Sequence, residues 1–312
     1  MIVVSTNEAH WLEPCLSTVF EHAGDATLDV VVVDNSSTDG TRELVETKFP
    51  EARVVTCPNR GFAHANNRGA MTCTARYVLF LNPDTEMADG TFGALVAELD
   101  RRPEIGMAGV RQYTADGTLY PTIRNFPSVT RALGDAFGAE RLRSRPNWMG
   151  ERELDMSRYA SESACDWVSG SFMFCRREAL FSAGLMDERF FLDQEEPDLC
   201  LRFHRAGWQV LYTTTMSIVH HWGKAGVRPR MVAQNAYTRR QYARKHFSAP
   251  RRAAYMTAVF AGHAIRAAAP ARGNPSDAEA VRSGAVWAMK TLMSRQPVYA
   301  EPPPTAIAAP SR

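Results

Sequence analysis

The sequence predicts an α/β fold with a mostly parallel central sheet, helices on its faces and a helical C-terminal extension. Three observations carry this. Short apolar runs at 2–4, 28–33 and 77–81 are dense in Val, Ile, Leu and Phe, as strands buried on both faces should be. Between the first two, Trp11, Leu12, Cys15, Leu16, Val19 and Phe20 recur at helical spacing. Polar clusters follow the apolar runs: Ser5-Thr6-Asn7-Glu8, Asp34-Asn35-Ser36 and Asn82-Pro83-Asp84. If the three strands are parallel, those clusters meet at one sheet edge, where open α/β sheets bind ligands.

The remaining elements follow in order. A helix is expected over 41–48, a strand at 54–55, a helix over 62–71 and a fourth strand over 77–81. Pro83 lacks an N–H and ends that strand. A helix over 91–101 closes before Pro103, and a fifth strand covers 105–110. Residues 113–161, rich in Gly, Pro and Arg, read as loops with a short helix over 129–137. One strand is expected over 167–175, then helices over 177–182 and 196–205, the latter stopped by Gly207. Two short strands follow at 210–212 and 217–220, then helices over 232–246, 252–269 and 281–293. The linker 273–276 and a disordered tail over 301–312 complete the reading. The implied division is a domain over 1–225, a basic helical extension over 226–295 and a tail over 296–312.

The 312 residues, 45% hydrophobic and 22% charged, suffice for a substantial core. Net charge is only +2, but its distribution is uneven. No Asp or Glu occurs from Leu199 to Ser276, a stretch that carries many arginines. That basic part favours an anionic partner. Six scattered cysteines without a CxxC pair suggest neither a zinc ribbon nor a disulfide framework, and fit a reducing compartment. The start of the chain lacks the pattern of a signal peptide, and no run is long enough to span a membrane. A cytoplasmic protein is expected. Arg251-Arg252 followed by Ala253, Ala254, Tyr255, Met256, Val259 and Phe260 fits an amphipathic helix at the inner membrane face. A solvated basic face is the alternative. No nucleic-acid motif accompanies the arginines.

No Gly-rich dinucleotide cradle or P-loop is present. The sheet edge instead offers carboxylates, amides and hydroxyls. Asp34 is suited to accept from a nucleobase or a ribose hydroxyl. Asp84 is suited to hold a divalent cation against a diphosphate, or else to cap a turn.

Five blocks resemble the family-2 glycosyltransferases of the glycosyltransferase A fold, especially their rhamnosyltransferase-like branch. They run from Val31 to Thr41, Asn59 to Gly69, Leu79 to Asp84, Trp167 to Met173 and Phe190 to Arg202, in the family's order. The resemblance implies residue roles. Asn82-Pro83-Asp84 would stand for the metal-binding motif, with Asp84 coordinating Mg²⁺ or Mn²⁺ and Asn82 beside the nucleotide-sugar. Asp34 would contact the base, Ser5, Asn7 and Glu8 would line the nucleotide pocket, and Asn67 would help bind the nucleotide-sugar. Trp167, Gly170 and Ser171 would flank donor sugar and acceptor.

Glu195-Glu196 matches the family's Glu-Asp pair, whose second member is the usual general base. Glu196 replaces that Asp, so the base is Glu196 or Glu195; both could also simply favour the helix dipole. His220 or His221 would supply a further metal or diphosphate ligand, against the alternative of a structural histidine. The expected activity is inverting sugar transfer from a nucleoside-diphosphate donor, dTDP-rhamnose being one candidate. The acceptor would be a glycan or lipid-linked precursor of the cell envelope. A nucleotidyltransferase and a non-catalytic sugar-nucleotide or lipid-binding module are the rival readings.

Overall fold

A computed structural model describes residues 1–139, 142, 145–221, 228–269 and 275–299. The expected tail over 301–312 and the boundary at 225–226 lie outside the described residues.

The N-terminal half alternates strand and helix: β1 (Ile2–Ser5), α1 (Ala9–Glu21), β2 (Val31–Asp34), α2 (Thr41–Lys48), β3 (Arg53–Thr56), α3 (Phe62–Met71) and β4 (Tyr77–Leu81). Then come β5 (Thr85–Asp89), α4 (Phe92–Asp100), β6 (Ile105–Thr114), β7 (Ile123–Arg124), α5 (Val129–Ala136), β8 (Ser163–Cys165), β9 (Trp167–Val168), β10 (Phe172–Arg176), α6 (Arg177–Ser182), α7 (Glu195–Arg205) and β11 (Gln209–His220). Three helices end the chain: α8 (Pro229–His246), α9 (Ala249–Ala268) and α10 (Pro275–Ser294).

The main sheet runs β3-β2-β1-β4-β10-β6-β11-β5, with β8 on β11. The first four strands are parallel, as are β6 and β11; β10 is antiparallel to both its neighbours. Every residue of β1, β2 and β4 is buried, which explains their apolar runs. Alternate residues feed two cores. Val3, Val32, Leu79 and Leu81 pack with α1 and α4. Ile2, Val4, Val31, Val33, Val78 and Phe80 pack with α3, α6 and α7.

The secondary structure differs from the sequence reading in several places, the short strands β7 and β8 among them. β5 was not expected, because Glu86 and Asp89 interrupt any apolar pattern. The expected strand over 167–175 is two strands, broken at Ser169-Gly170-Ser171. The two expected strands at 210–212 and 217–220 are one strand, β11, whose register shifts between Thr213 and Ser217. The expected linker at 273–276 gives way to α10, which begins at Pro275.

The topology brings functional groups together. β1, β2 and β4 end on one edge. β11 is parallel to β6, and β10 lies antiparallel between β6 and β4, so β11 also ends there. The start of β10 faces the same way. Ser171, Asn82, Asp84, Gln112 and His220 therefore converge by strand direction alone.

The C-terminal helices are docked rather than free. Tyr255, Ala258 and Val259 of α9 are buried with Ala132 of α5, Phe190, and Tyr242 and Phe247 from α8 and its end. This is the apolar face that the sequence offered to a membrane, and most of it is spent inside the protein. Basic residues meet acids of the sheet region: Arg239 with Glu151 at 2.8 Å, Lys245 with Asp187 and Asp198 at 2.6 Å each, and His246 with Asp198 at 2.7 Å. Burial opposes ionisation of Asp198, but His246, Arg202 and Lys245 hold its carboxyl below the usual range. Among the described residues no helix is long and apolar enough to cross a membrane.

Candidate active site

A cavity of about 720 Å³ opens at that sheet edge. Its walls come from the ends of β1, β2, β4 and β11, the segment before β10, the start of α7, the stretch 120–152 and the inner face of α8.

Asp84 sits on the floor. Its Oδ1 lies 3.0 Å from His220 Nε2. His220 Nδ1 in turn lies 2.6 Å from Gln112 Nε2, and Gln112 Oε1 accepts from Ser171 Oγ at 2.9 Å. The chain of bonds assigns the protons. Ser171 donates to the amide oxygen, the amide N–H donates to Nδ1, and Nε2 carries the proton offered to Asp84. Turning the Gln112 amide end for end would instead place the proton on Nδ1 and free the Nε2 lone pair for a cation. Gln112 is a residue the sequence reading missed; its only signal was its place beyond the fifth apolar run.

The two adjacent histidines separate cleanly. His221 faces away from the cavity, stacked on Trp11 with centroids 4.8 Å apart. Its Nε2 is 2.7 Å from Glu86, though not aligned for a hydrogen bond. His220 is the one that reaches Asp84.

Glu8 lines the same floor. Burial and then the charge of Asp84 push its carboxyl up to about 7. Two carboxylates that share a site, one of them opposing ionisation of the other, are a donor set in want of a cation. Among the described residues no three His, Cys, Asp or Glu side chains form a ready cage. Such a cage is not required for Mg²⁺ or Mn²⁺ bound beside substrate phosphates, where one or two carboxylates suffice. The residues present fit a divalent metal.

Glu195 and Glu196 open α7, after Asp193 and Gln194, both left-handed at φ 69° and 73°. Such backbone is costly for residues with a Cβ and concentrates at functional sites. Glu195 is buried, and its Oε2 has no partner. Burial first, then the charges of Glu196 and Asp193, hold its pKa well above the usual value. Glu196 is half-buried at the cavity wall, and burial, opposed by Gly170 N–H and Arg124, leaves it at about 7. Burial thus opposes ionisation of both glutamates, and Glu196 is the one held at about 7. A Cβ on Gly170 would lie 2.3 Å from Glu196 Oε1, so the glycine is what admits the carboxylate.

Other expected residues fall differently. Asn82 and Trp167 line the cavity, Trp167 fixed by its indole N–H to Asn125 O at 3.0 Å. Ser5 does not: its side chain is buried against Thr41, and Thr6 takes the wall position. Asn7, at φ 59°, spends its amide oxygen on Thr38 N at 2.7 Å, which braces the following loop. Asp34 Oδ1 accepts from Ser37 N at 2.8 Å, and the neighbouring Asn35 lines the cavity. Asn67 is corrected outright. Its amide donates to Met186 O at 2.8 Å and accepts from Met186 N at 3.0 Å, which ties α3 to the 186–188 turn and leaves nothing for a nucleotide-sugar. The reading also missed Tyr120, Arg124, Glu151, Arg152 and Arg239, all in the wall.

A mostly parallel sheet whose strand ends bring carboxylates to one cavity is the architecture of the glycosyltransferase A fold. The chain belongs to glycosyl transferase family 2, whose family model matches residues 1–179. It is 31% identical over 211 residues to the N-acetylglucosaminyl-diphospho-decaprenol L-rhamnosyltransferase of Mycobacterium tuberculosis, covering 64% of this chain and 68% of that one. It is 22% identical over 229 residues to the rhamnosyltransferase WbbL of Escherichia coli K12, covering 71% and 82%. Among solved structures it resembles the mannosyltransferase of Pyrobaculum calidifontis in complex with GDP-mannose and Mn²⁺. There the TM-score is 0.56 and identity 17%, over 95% of this chain and 86% of that one. It also resembles GalNAc-T7 with UDP, GalNAc and Mn²⁺, with TM-score 0.58 and identity 15%, over 94% and 55%. These two likenesses concern the fold.

Proposed function

We propose that this glycosyltransferase moves rhamnose, with inversion, from a deoxythymidine-diphosphate donor to a hydroxyl of a lipid-linked sugar. Family membership favours this over the nucleotidyltransferase and the binding module. The rhamnosyltransferase relatives support the sugar, and the diphospho-decaprenol named for one of them supports the acceptor class. The observation that supports the chemistry is that two carboxylates line one cavity, Asp84 just beyond β4 and Glu196 beside Gly170.

Glu196 takes the proton from the acceptor hydroxyl. The acceptor oxygen then bonds to the anomeric carbon from the side opposite the diphosphate, and the C–O bond to the diphosphate breaks with its electron pair. Thr6 and Asn35 lie where the nucleoside would rest, and Trp167 would cover the sugar. Mg²⁺ or Mn²⁺ held by Asp84, with Glu8 and His220 beside it, would supply charge neutralisation to the leaving diphosphate. Burial and the charge of Glu196 oppose ionisation of the neighbouring Glu195.

We also propose peripheral membrane contact at α10, where Trp287 is 40% exposed beside Arg282 and Lys290. An interfacial Trp flanked by cations suits an anionic surface. The function is tested by a donor panel of uridine, deoxythymidine and guanosine diphosphate sugars with Mn²⁺ or Mg²⁺, scored by nucleoside diphosphate release. Turnover with the deoxythymidine donor is expected. No turnover with any donor refutes the reading.

A further inference from the structure

Two arginines in the cavity wall are arranged in a way that their own surroundings do not account for. Arg124 of β7 and Arg152 face one another across an antiparallel bridge. Asn125 N bonds Glu151 O at 2.6 Å and Glu153 N bonds Ile123 O at 3.0 Å. Those bonds flank the Arg124–Arg152 pair, which makes it the close, non-hydrogen-bonded kind. Like charges directly opposite in such a pair destabilise the sheet.

Nearby acids do not relieve the pair. Among the described residues neither arginine forms an ion pair with a carboxylate. The adjacent Glu151 is already held by both terminal nitrogens of Arg239, at 2.8 and 3.1 Å. The Nε atoms of both Arg124 and Arg152 are buried without a partner. What holds the guanidinium groups is aromatic: they lie 5.7 and 5.5 Å from the Tyr120 ring centroid, and Arg124 also lies 5.9 Å from Trp167. Arg124 donates one further bond to Tyr120 Oη at 2.9 Å. Stacking on rings fixes the planar forks and leaves their edges for oxygen.

The position also matters. Trp167 pairs with Arg124 across β7–β9, and the charge of Arg124 reaches Glu196. The charge of Asp84 acts instead on Glu8. Arg124 therefore stands on the Trp167 and Glu196 side of the cavity.

We propose that Arg124 and Arg152 form a second anion subsite that grips the diphosphate of the acceptor, one sugar away from the hydroxyl presented to Glu196. This rests on the glycosyltransferase reading for its role, but its chemistry stands apart: a diphosphate ester bound by two arginines without a metal. Paired guanidinium forks recognise phosphate oxygens bidentately.

The test is calorimetric titration of the full chain with geranyl diphosphate in EDTA, which silences any metal-dependent site at Asp84. Wild type should bind it. Arg152→Gln and Arg124→Gln should each weaken binding about tenfold or more, while Arg152→Lys retains part of it. Asp84→Asn should bind as wild type does, and geraniol should not bind. Inorganic pyrophosphate competing in wild type, and losing affinity in Arg152→Gln, would support the subsite and separate head group from tail. Thermal melting shows that each variant is folded, and nucleoside diphosphate binding with Mn²⁺ shows it again for the arginine variants. Unchanged binding in both glutamine variants overturns the proposal. So does equal binding of geraniol, equal loss in Asp84→Asn, or no binding by wild type. If the donor panel fails while these bindings hold, the transferase reading falls and the anion subsite remains.

Discussion

Replacing Glu196 by Gln should move activity and stability in opposite directions. The folded protein holds Glu196 at about 7, against an ordinary value of 4.5. At roughly 1.4 kcal/mol per pH unit, the ionised carboxylate costs the fold up to about 3 kcal/mol. This is a ceiling, because the half-buried side chain keeps some hydration. The sign follows from proton counts. Below pH 4.5 both folded and unfolded chains are protonated and the penalty is absent. Between there and about 7 only the folded chain keeps the proton, so stability falls as pH rises. Above about 7 the full penalty is present. Glu196→Gln removes it, so the variant should be indistinguishable from wild type near pH 4.5 and more stable at pH 8. Urea unfolding at the two pH values reads this. Turnover should fall by about 10²–10⁴-fold, and the wild-type rise of kcat/KM through pH 7 should vanish. Glu195→Gln is the control: Glu195 is buried and is not the carboxylate beside Gly170, so the amide should leave turnover near wild type. A Glu196→Gln protein that stays active, or a Glu195→Gln protein that alone loses activity, would refute the assignment.

Asp84→Asn should weaken nucleoside diphosphate binding in Mn²⁺ by at least about tenfold and abolish its metal dependence, measured by calorimetry with and without EDTA; an unchanged metal dependence would rule Asp84 out. In Gly170→Ala the new methyl would collide with the mobile end of Glu196 rather than with backbone, so the carboxylate moves and the fold does not. Turnover should drop about 10²-fold with less than about 1 kcal/mol lost in urea unfolding. Trp287→Ser should reduce flotation with anionic liposomes, and equal partitioning would reject membrane contact at α10.

The parallel half of the sheet was legible because its strands are buried on both faces and their composition says so. Asp84 was legible because Pro83 ends a buried run and strand direction fixes the rest. β5 was not, since only Thr85 and Met87 of Thr85–Asp89 are buried and Glu86 and Asp89 carry charge. The matched blocks located chain segments correctly but not side-chain directions. Asn67 lies in one of them, yet its helix turns its amide towards Met186. Between 113 and 161 no periodicity or motif marks Arg124, Arg152 or Glu151. Their significance arises from a backbone bridge between short extended segments, and such pairing has no local signature. The choice between Glu195 and Glu196 likewise needed the fold, because it depends on which of two neighbours a helix start turns towards Gly170.

The ion pair between Arg239 and Glu151 bears on how enzymes of this kind diversify. The family model ends at residue 179, yet Asn235 and Arg239 of α8 reach the cavity wall, and Arg239 clamps the residue next to Arg152. The wall beside Arg152 thus draws on two stretches of the chain, the one the family model matches and the helices beyond it. A change in α8 reaches the proposed arginine subsite through Glu151 and leaves Asp84 untouched. Exchanging α8 to α10 between relatives should accordingly shift acceptor preference more than donor preference.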